Sequence, residues 1–401
     1  MEAVEYIRRN IKKTIRTHQR DEETLIGLPY PYTVPCAEAC FNELYYWDTY
    51  FTNKALFAVG NIEQAKNNVS DILYLIEKFG YMPNGNRTFF LKRSQPPYAA
   101  LMVDDIYCKT SDLSFLKRAF VTLKKEYEFW MTRRLAENGL NRYGSEEDEE
   151  SCAAFYCGIV ADRIGKDGSR DPAEAGKHYF AEAESGWDFT SRFCGRCEDY
   201  SPIDLNSILF LYEKLFSKYE MLLNEGDGTE WAKKASFRAE KMNALLWDSA
   251  AGIYRDYNYK TEKQAPVISA ASFQPYFAGV AGEEQKSGLK KLLSVLEGEF
   301  GIFTTEKVTE KYQWAYPNLW APCQYIAVKA LEQYGYTNEA KRVAGKYVKL
   351  IERNFETYGK LFEKYNGLTG GIDAISEYGT PEMLGWTAGV YMSFLSRGDE
   401  Q

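Results

Sequence analysis

Residues 184–193 read Glu-Ser-Gly-Trp-Asp-Phe-Thr-Ser-Arg-Phe, which sets one carboxylate, Asp188, directly after a glycine and a tryptophan. An indole beside an acid offers a sugar a face to stack on and keeps part of the water away. Those conditions raise a carboxyl pKa and suit it to donate a proton near neutral pH. The plain structural role for the same residue is a buried helix cap. Other segments carry a similar mixture: Trp47-Asp48; Asn84 with Arg93, Ser94 and Gln95; Arg170 ahead of Trp187-Asp188; Gln313-Trp314 with Trp320; and Glu363 with Glu377 and Trp386. Each joins an aromatic face to a carboxylate, amide or guanidinium, the surface a polyhydroxyl ligand needs. Each residue also has a bland role. Trp47 and Trp187 suit a core, Trp314 suits the underside of a loop, Glu363 beside Lys364 suits a surface, Arg93 suits a helix end, and Arg170 suits solvent.

The rest of the chain must position these groups. It has 401 residues, with 49 Lys plus Arg against 57 Asp plus Glu, a net charge of -8. An acidic chain without basic runs is a poor partner for nucleic acid. The first twenty residues are charged and lack an apolar core, and no later apolar run is long enough for a membrane span. The expected compartment is therefore the cytoplasm. The eight cysteines read as free thiols. Cys194-Gly-Arg-Cys197 is a lone pair with no second pair or histidine nearby, so no metal and no cofactor is expected. With only two histidines, His18 and His178, chemistry that needs a histidine pair has almost nothing to use.

Helical spacing dominates. Residues 1–19 predict a surface helix, and Asn61-Ile-Glu-Gln64 predicts a capping box opening a helix with Ile62, Ala65, Val69, Ile72, Leu73, Ile76 and Phe79 inward. Residues 98–108, 113–135, 202–225, 230–247, 268–281, 282–296, 317–334, 338–355 and 381–396 predict further helices. Residues 151–163 predict a short one, 165–176 a glycine-rich polar loop, and 253–260 a short strand. About a dozen helices with almost no strand, and long loops after every second helix, predict an all-α ring of helical hairpins whose loops gather into a pocket at one end. One domain over 1–401 is expected.

At these residues a family comes into view. Asn84 with Arg93-Ser-Gln-Pro-Pro97, Glu184-Ser-Gly-Trp-Asp-Phe189, Asp204-Leu-Asn206 and Gly385-Trp-Thr387 together resemble the trehalase family of glycoside hydrolases. Residues 41–51, opening on Phe41, look like its first signature, and 313–322 like its second. The resemblance implies an (α/α)₆ barrel and an inverting hydrolase of α,α-trehalose or a related α-glucoside. By position it implies that Asp188 is the general acid and that Glu363, in Phe362-Glu-Lys-Tyr365, is the general base. It implies sugar contacts at Trp47, Asp48, Asn84, Arg93, Ser94, Gln95, Arg170, Gly186 and Glu377. An inverting pair stands roughly 6.5–9.5 Å apart to admit a water. Asp188 should then have a raised pKa and Glu363 a lower one.

The sequence departs from the family in two places. The first signature usually carries Gly-Gly-Arg-Phe where this chain has Glu38-Ala-Cys-Phe41, and the second carries Gln-Trp-Asp where it has Gln313-Trp-Ala315. An arginine and a carboxylate are gone, so the leaving group can be other than glucose, such as a glycosylglycerate. Two further functions compete. A sugar epimerase of the same fold needs a histidine pair, and a non-catalytic sugar-binding scaffold has no need of both acids.

Overall fold

The computed structural model describes residues 2–38, 40–165 and 167–396. In chain order its helices are α1 (Glu2–Asn10), α2 (Tyr46–Ala58), α3 (Ile62–Phe79), α4 (Ala99–Thr110), α5 (Leu113–Arg133), α6 (Glu149–Phe155), α7 (Ala161–Ile164), α8 (Pro172–Ser185), α9 (Ile203–Leu223), α10 (Thr229–Leu245), α11 (Gln274–Ala278), α12 (Gly288–Leu296), α13 (Ala321–Gln333), α14 (Thr337–Tyr358) and α15 (Trp386–Leu395). Strands are two or three residues long.

The helices form two concentric rings. The inner ring runs α2, α4, α9, α11, α13 and α15, each against the next, and α15 closes on α2. Outside it, α3 lies on α2 and α4, α5 on α4 and α9, α10 on α9, and α14 on α13 and α15. Tyr6 of α1 packs on Phe355 of α14, with ring centroids 5.2 Å apart. This is the (α/α)₆ barrel that the hairpin pattern predicts. The rings differ in sequence because they differ in surroundings. In α15, residues Trp386 to Met392 are all buried, whereas α3 buries one stripe, with Ala65, Val69, Ile72, Leu75 and Ile76 inward. The seam between α2 and α15 needs a glycine: a Cβ on Gly389 would stand 1.8 Å from the Phe51 carbonyl oxygen.

Several elements differ from expectation for local reasons. Asn61 caps α3 by accepting from the Gln64 N–H, but the Gln64 amide donates to the Pro31 carbonyl (2.7 Å) instead of returning to Asn61. The capping box is therefore half formed, and its glutamine ties down an N-terminal loop. The polar stretch 165–176 ends early, because Asp171 accepts from the Glu174 N–H and Pro172 takes the first helical position of α8. Residues 268–281 give only a 3₁₀ turn and the short α11, and the helix expected over 282–296 begins at Gly288. The helix expected from 317 begins at Ala321, because Asn318–Trp320 pairs antiparallel with Lys364–Asn366, Trp320 opposite Lys364. That ladder places Glu363 beside the second-signature tryptophans.

Between α5 and α9 the chain makes an excursion: α6, a π-helical turn (Tyr156–Val160), α7 and α8. It has its own small core of Tyr156, Val160, Ala175, Tyr179 and Phe189. A Cβ on Gly176 would lie 1.9 Å from the Cys152 carbonyl oxygen, so α6 and α8 also meet at a glycine. No helix among the described residues is long and apolar enough to cross a membrane.

Candidate active site

The loops at one end of the barrel enclose a cavity of about 180 Å³. Phe41, Trp47, Asp48, Asn84, Arg93, Gln95, Gly186, Asp188, Trp314, Trp320, Glu363 and Trp386 line it, joined by Tyr45, Phe90, Arg163, Tyr378 and Met383. Segments more than three hundred residues apart thus meet on one surface.

Its floor is tryptophan. Trp314 and Trp320 stack nearly parallel, 3.8 Å between centroids and 3° between planes. Trp386 stands edge-on to both, and Trp47 lies 5.7 Å from Trp314. Backbone acceptors fix the indole edges: Trp320 Nε1 donates to the Gln313 carbonyl (2.9 Å) and Trp386 Nε1 to the Glu363 carbonyl (3.0 Å). The indole N–H edges of Trp320 and Trp386 are thus tied to the frame, and the apolar ring surfaces line the cavity.

Trp47 and Asp48 sit in the first turn of α2, where Gln95 Oε1 accepts from the Trp47 N–H. Ser94 is wholly buried behind that loop, donating its N–H to Glu184 and its hydroxyl to the Met82 carbonyl. Glu184 also binds Arg134 through two nitrogens and the Gly144 N–H. The acid at the start of the Glu-Ser-Gly-Trp-Asp stretch is thus a structural anchor. Gly186 ends α8 at φ +74°, and a Cβ there would come within 3.0 Å of the Trp47 ring. Both facts demand glycine.

Asp188 leaves that turn with its side chain 34% exposed to the cavity, and Arg163 Nη1 donates to its Oδ2 at 3.3 Å. Burial raises its pKa, while Arg163 and Arg93 work against the rise. Across the floor, Glu363 is almost wholly buried. Lys364 Nζ donates to its Oε2, and the Tyr378 hydroxyl donates to Oε1 at 2.9 Å. The lowered pKa expected for Glu363 is corrected here: burial pushes it up, and Lys364 and Tyr378 offset only part of that. Asp48 has no such help. Burial and then the nearby Glu363 charge push it to about 8, so it is mostly protonated at neutral pH.

Four more expected site residues stand, like Ser94, off the cavity wall. Trp187 is buried beneath the floor, stacked on Trp314 at 5.2 Å and covered by the Arg192 guanidinium at 4.9 Å. Gln313 donates its amide to the Asp188 carbonyl (2.7 Å), and its N–H points at Glu377 Oε1. Glu377 also accepts from the Phe189 N–H, and burial first, then Asp188, raises it to about 7. Gln313 and Glu377 therefore brace the acid from behind. Arg170 turns outward, donating to the Gly195 carbonyl (2.8 Å) and covering Tyr179. The guanidinium at Asp188 is that of Arg163, brought back by the α6–α8 excursion. Of the two departures, Ala315 is fully buried, and Cys40 faces a separate surface cleft with Tyr6 and Glu382. Cys194 is exposed and Cys197 wholly buried, and no group of three metal-binding side chains occurs among the described residues.

Lys364, Tyr378 and Arg163 escape sequence reading. Lysine beside Glu363 suggests a solvated pair, and only the Trp320–Lys364 ladder buries both. Tyr378 follows Glu377, which is the one signal that could have found it.

Comparison with known proteins agrees with this architecture. The sequence model of the trehalase family matches residues 2–398. A periplasmic trehalase of Xanthomonas oryzae pv. oryzae (strain MAFF 311018) is 33% identical over 409 residues, covering 95% of this chain and 70% of that one. Neutral trehalase Nth1 of Saccharomyces cerevisiae superposes with a TM-score of 0.78 at 28% identity, over 98% of this chain and 79% of the yeast chain. A GH63 mannosylglycerate hydrolase of Thermus thermophilus, in complex with glucose, shares the fold at a TM-score of 0.69 and 16% identity, over 98% and 99% of the two chains. The chain belongs to the trehalase family of glycoside hydrolases.

Proposed function

We propose that this trehalase-family chain, acting as one domain, hydrolyses α,α-trehalose or a closely related α-glucoside with inversion. Asp188 is the acid and Glu363 the base. The observation that carries the reading is that both carboxyls open onto one tryptophan-floored cavity with different partners. A guanidinium holds Asp188; an ammonium and a phenol hold Glu363. Family membership supports the same substrate class.

The glucosyl ring stacks on the indole floor, with Asp48 and Asn84 at its hydroxyls. Being protonated, Asp48 donates a hydrogen bond as well as accepting one. Asp188, braced by Gln313, passes its proton to the glycosidic oxygen. Glu363, kept ionised by Lys364, takes a proton from water on the opposite face. The glycosidic bond breaks as the water oxygen attaches. Ionisation of one acid disfavours ionisation of the other across the cavity, which helps hold one protonated while the other is charged. Assay of the purified chain on trehalose, sucrose, kojibiose, isomaltose and glycosylglycerates tests this. Glucose release from trehalose is expected, and no hydrolysis of any of them would reject the reading in favour of a binding scaffold.

The cytoplasmic address expected from the sequence gains nothing from the Xanthomonas relative, whose name is periplasmic. It rests on eight unbridged thiols, and cell fractionation tests it.

A further inference from the structure

The cavity is electrically lopsided. One half holds the indole floor with Asp48 and Glu363. The other, around Asp188, holds two guanidiniums and little to balance them. Arg163 has Asp188 as its ion partner at 3.3 Å. Arg93 lines the cavity between the Phe90 and Phe180 rings (5.0 and 5.4 Å), with its Nε buried and unpartnered. The carboxylates behind Arg93 are committed elsewhere: Glu147 to Lys92 at 3.0 Å, and Glu184 to Arg134 at 2.8 Å.

Chemistry makes the imbalance worse. A general acid works from its protonated form, so when Asp188 is ready to act, neither guanidinium faces a carboxylate charge there. Near Asp188, burial pushes Glu182 well above the usual carboxylate range and raises Glu377 to about 7, so together they supply less than two full negative charges at neutral pH. Two uncompensated cations in a partly desolvated pocket are costly, and planar guanidiniums match carboxylate and phosphate oxygens. The acid also marks which half this is, because it stands by the departing oxygen.

We infer that the Arg93–Arg163 half of the cavity is a leaving-group site for an aglycone bearing a carboxylate or phosphate. This deepens the α-glucosidase reading and rests on it. An anion there engages Arg163, takes that guanidinium from Asp188, and so favours the protonated acid that bond cleavage needs. The substrate's charge would thereby prime its own cleavage.

The test compares kcat/KM on three substrates: neutral α,α-trehalose, α-glucosylglycerate (carboxylate) and trehalose 6-phosphate (phosphate). At least one anionic substrate should exceed trehalose about 10- to 100-fold, the range for a charged hydrogen bond in a desolvated site. Which one leads identifies the anion. Arg163→Gln should shrink that ratio at least tenfold. D-glycerate or glucose 6-phosphate should inhibit the native enzyme more tightly than glucose does. Hydrolysis of trehalose equal to or better than both anionic substrates would overturn the inference and leave the α-glucosidase reading standing. So would an anion preference that Arg163→Gln leaves unchanged. Cleavage of none of the three would overturn the inference, and failure on sucrose, kojibiose and isomaltose as well would sink the α-glucosidase reading with it.

Discussion

Two sets of buried charges lie on either side of the Trp187–Trp314 stack, and they are built in opposite ways. Behind it, Arg192 makes four hydrogen bonds of 2.6–2.9 Å to Asp204 and Asp256. In front, Asp48, Asp188 and Glu363 share one cavity with incomplete compensation, and all three are raised. The rear cluster has few free lone pairs and no opening to a ligand. In the front cluster Asp48 keeps its proton at neutral pH, and the three acids open onto space for a ligand. Dense hydrogen bonding around one guanidinium holds the barrel together; acids with fewer partners are left where proton transfer is wanted.

The comparison breaks most sharply if the front acids prove structural. Asp188→Asn and Glu363→Gln should each lower kcat by about 10³–10⁴-fold, at the upper range for a general acid or base. Asp188→Asn should keep a melting temperature close to that of the native protein, whereas Glu363→Gln also strips the buried Lys364 ammonium of its carboxylate and should lose some stability. Steady-state kinetics and thermal unfolding check both halves. The rear cluster should give the reverse. Arg192→Met leaves two buried carboxylates uncompensated and should cost about 3–5 kcal/mol of stability. Denaturant unfolding reads that loss, and KM of the remaining folded enzyme should change little.

A third variant sharpens the difference through pH. Asp48 titrates near 8 when folded and near 4 when unfolded. The folded state therefore binds more protons between those values, and its contribution to stability is lost as pH rises through them. Asp48→Asn should flatten the fall in melting temperature from about pH 4 to 8, an effect on the order of 1–3 kcal/mol. An unchanged slope would mean that Asp48 is ionised in the folded protein. The smallest effect is expected at Lys364. Its ammonium favours ionised Glu363, so Lys364→Met should raise that pKa and move the acid limb of kcat/KM upward by about one pH unit. A limb that stays in place would remove Lys364 from the account.

The helical pattern was legible because each ring has its own periodicity, and the ring closure followed from hairpins of similar length. Most of the cavity wall was legible because tryptophans sit next to acids and amides in the chain. What escaped was set by contacts between distant segments. Arg170 lies nearer Asp188 in sequence than Arg163 does, yet the α6–α8 core turns Arg170 outward and Arg163 inward. Glu363 and Lys364 read as a surface pair until a three-residue ladder buries them. The pKa of Glu363 was misjudged for the same reason: charge neighbours can be read from sequence, but the cost of burial cannot.

Inversion by a spaced acid and base is the central claim, and the anomers of the first glucose released test it most directly. Proton NMR of early trehalose hydrolysis should show α- and β-glucose in equal amounts, the β form from the attacked ring and the α form from the leaving ring. Release of α-glucose alone would mean retention, and would contradict the roles given to Asp188 and Glu363.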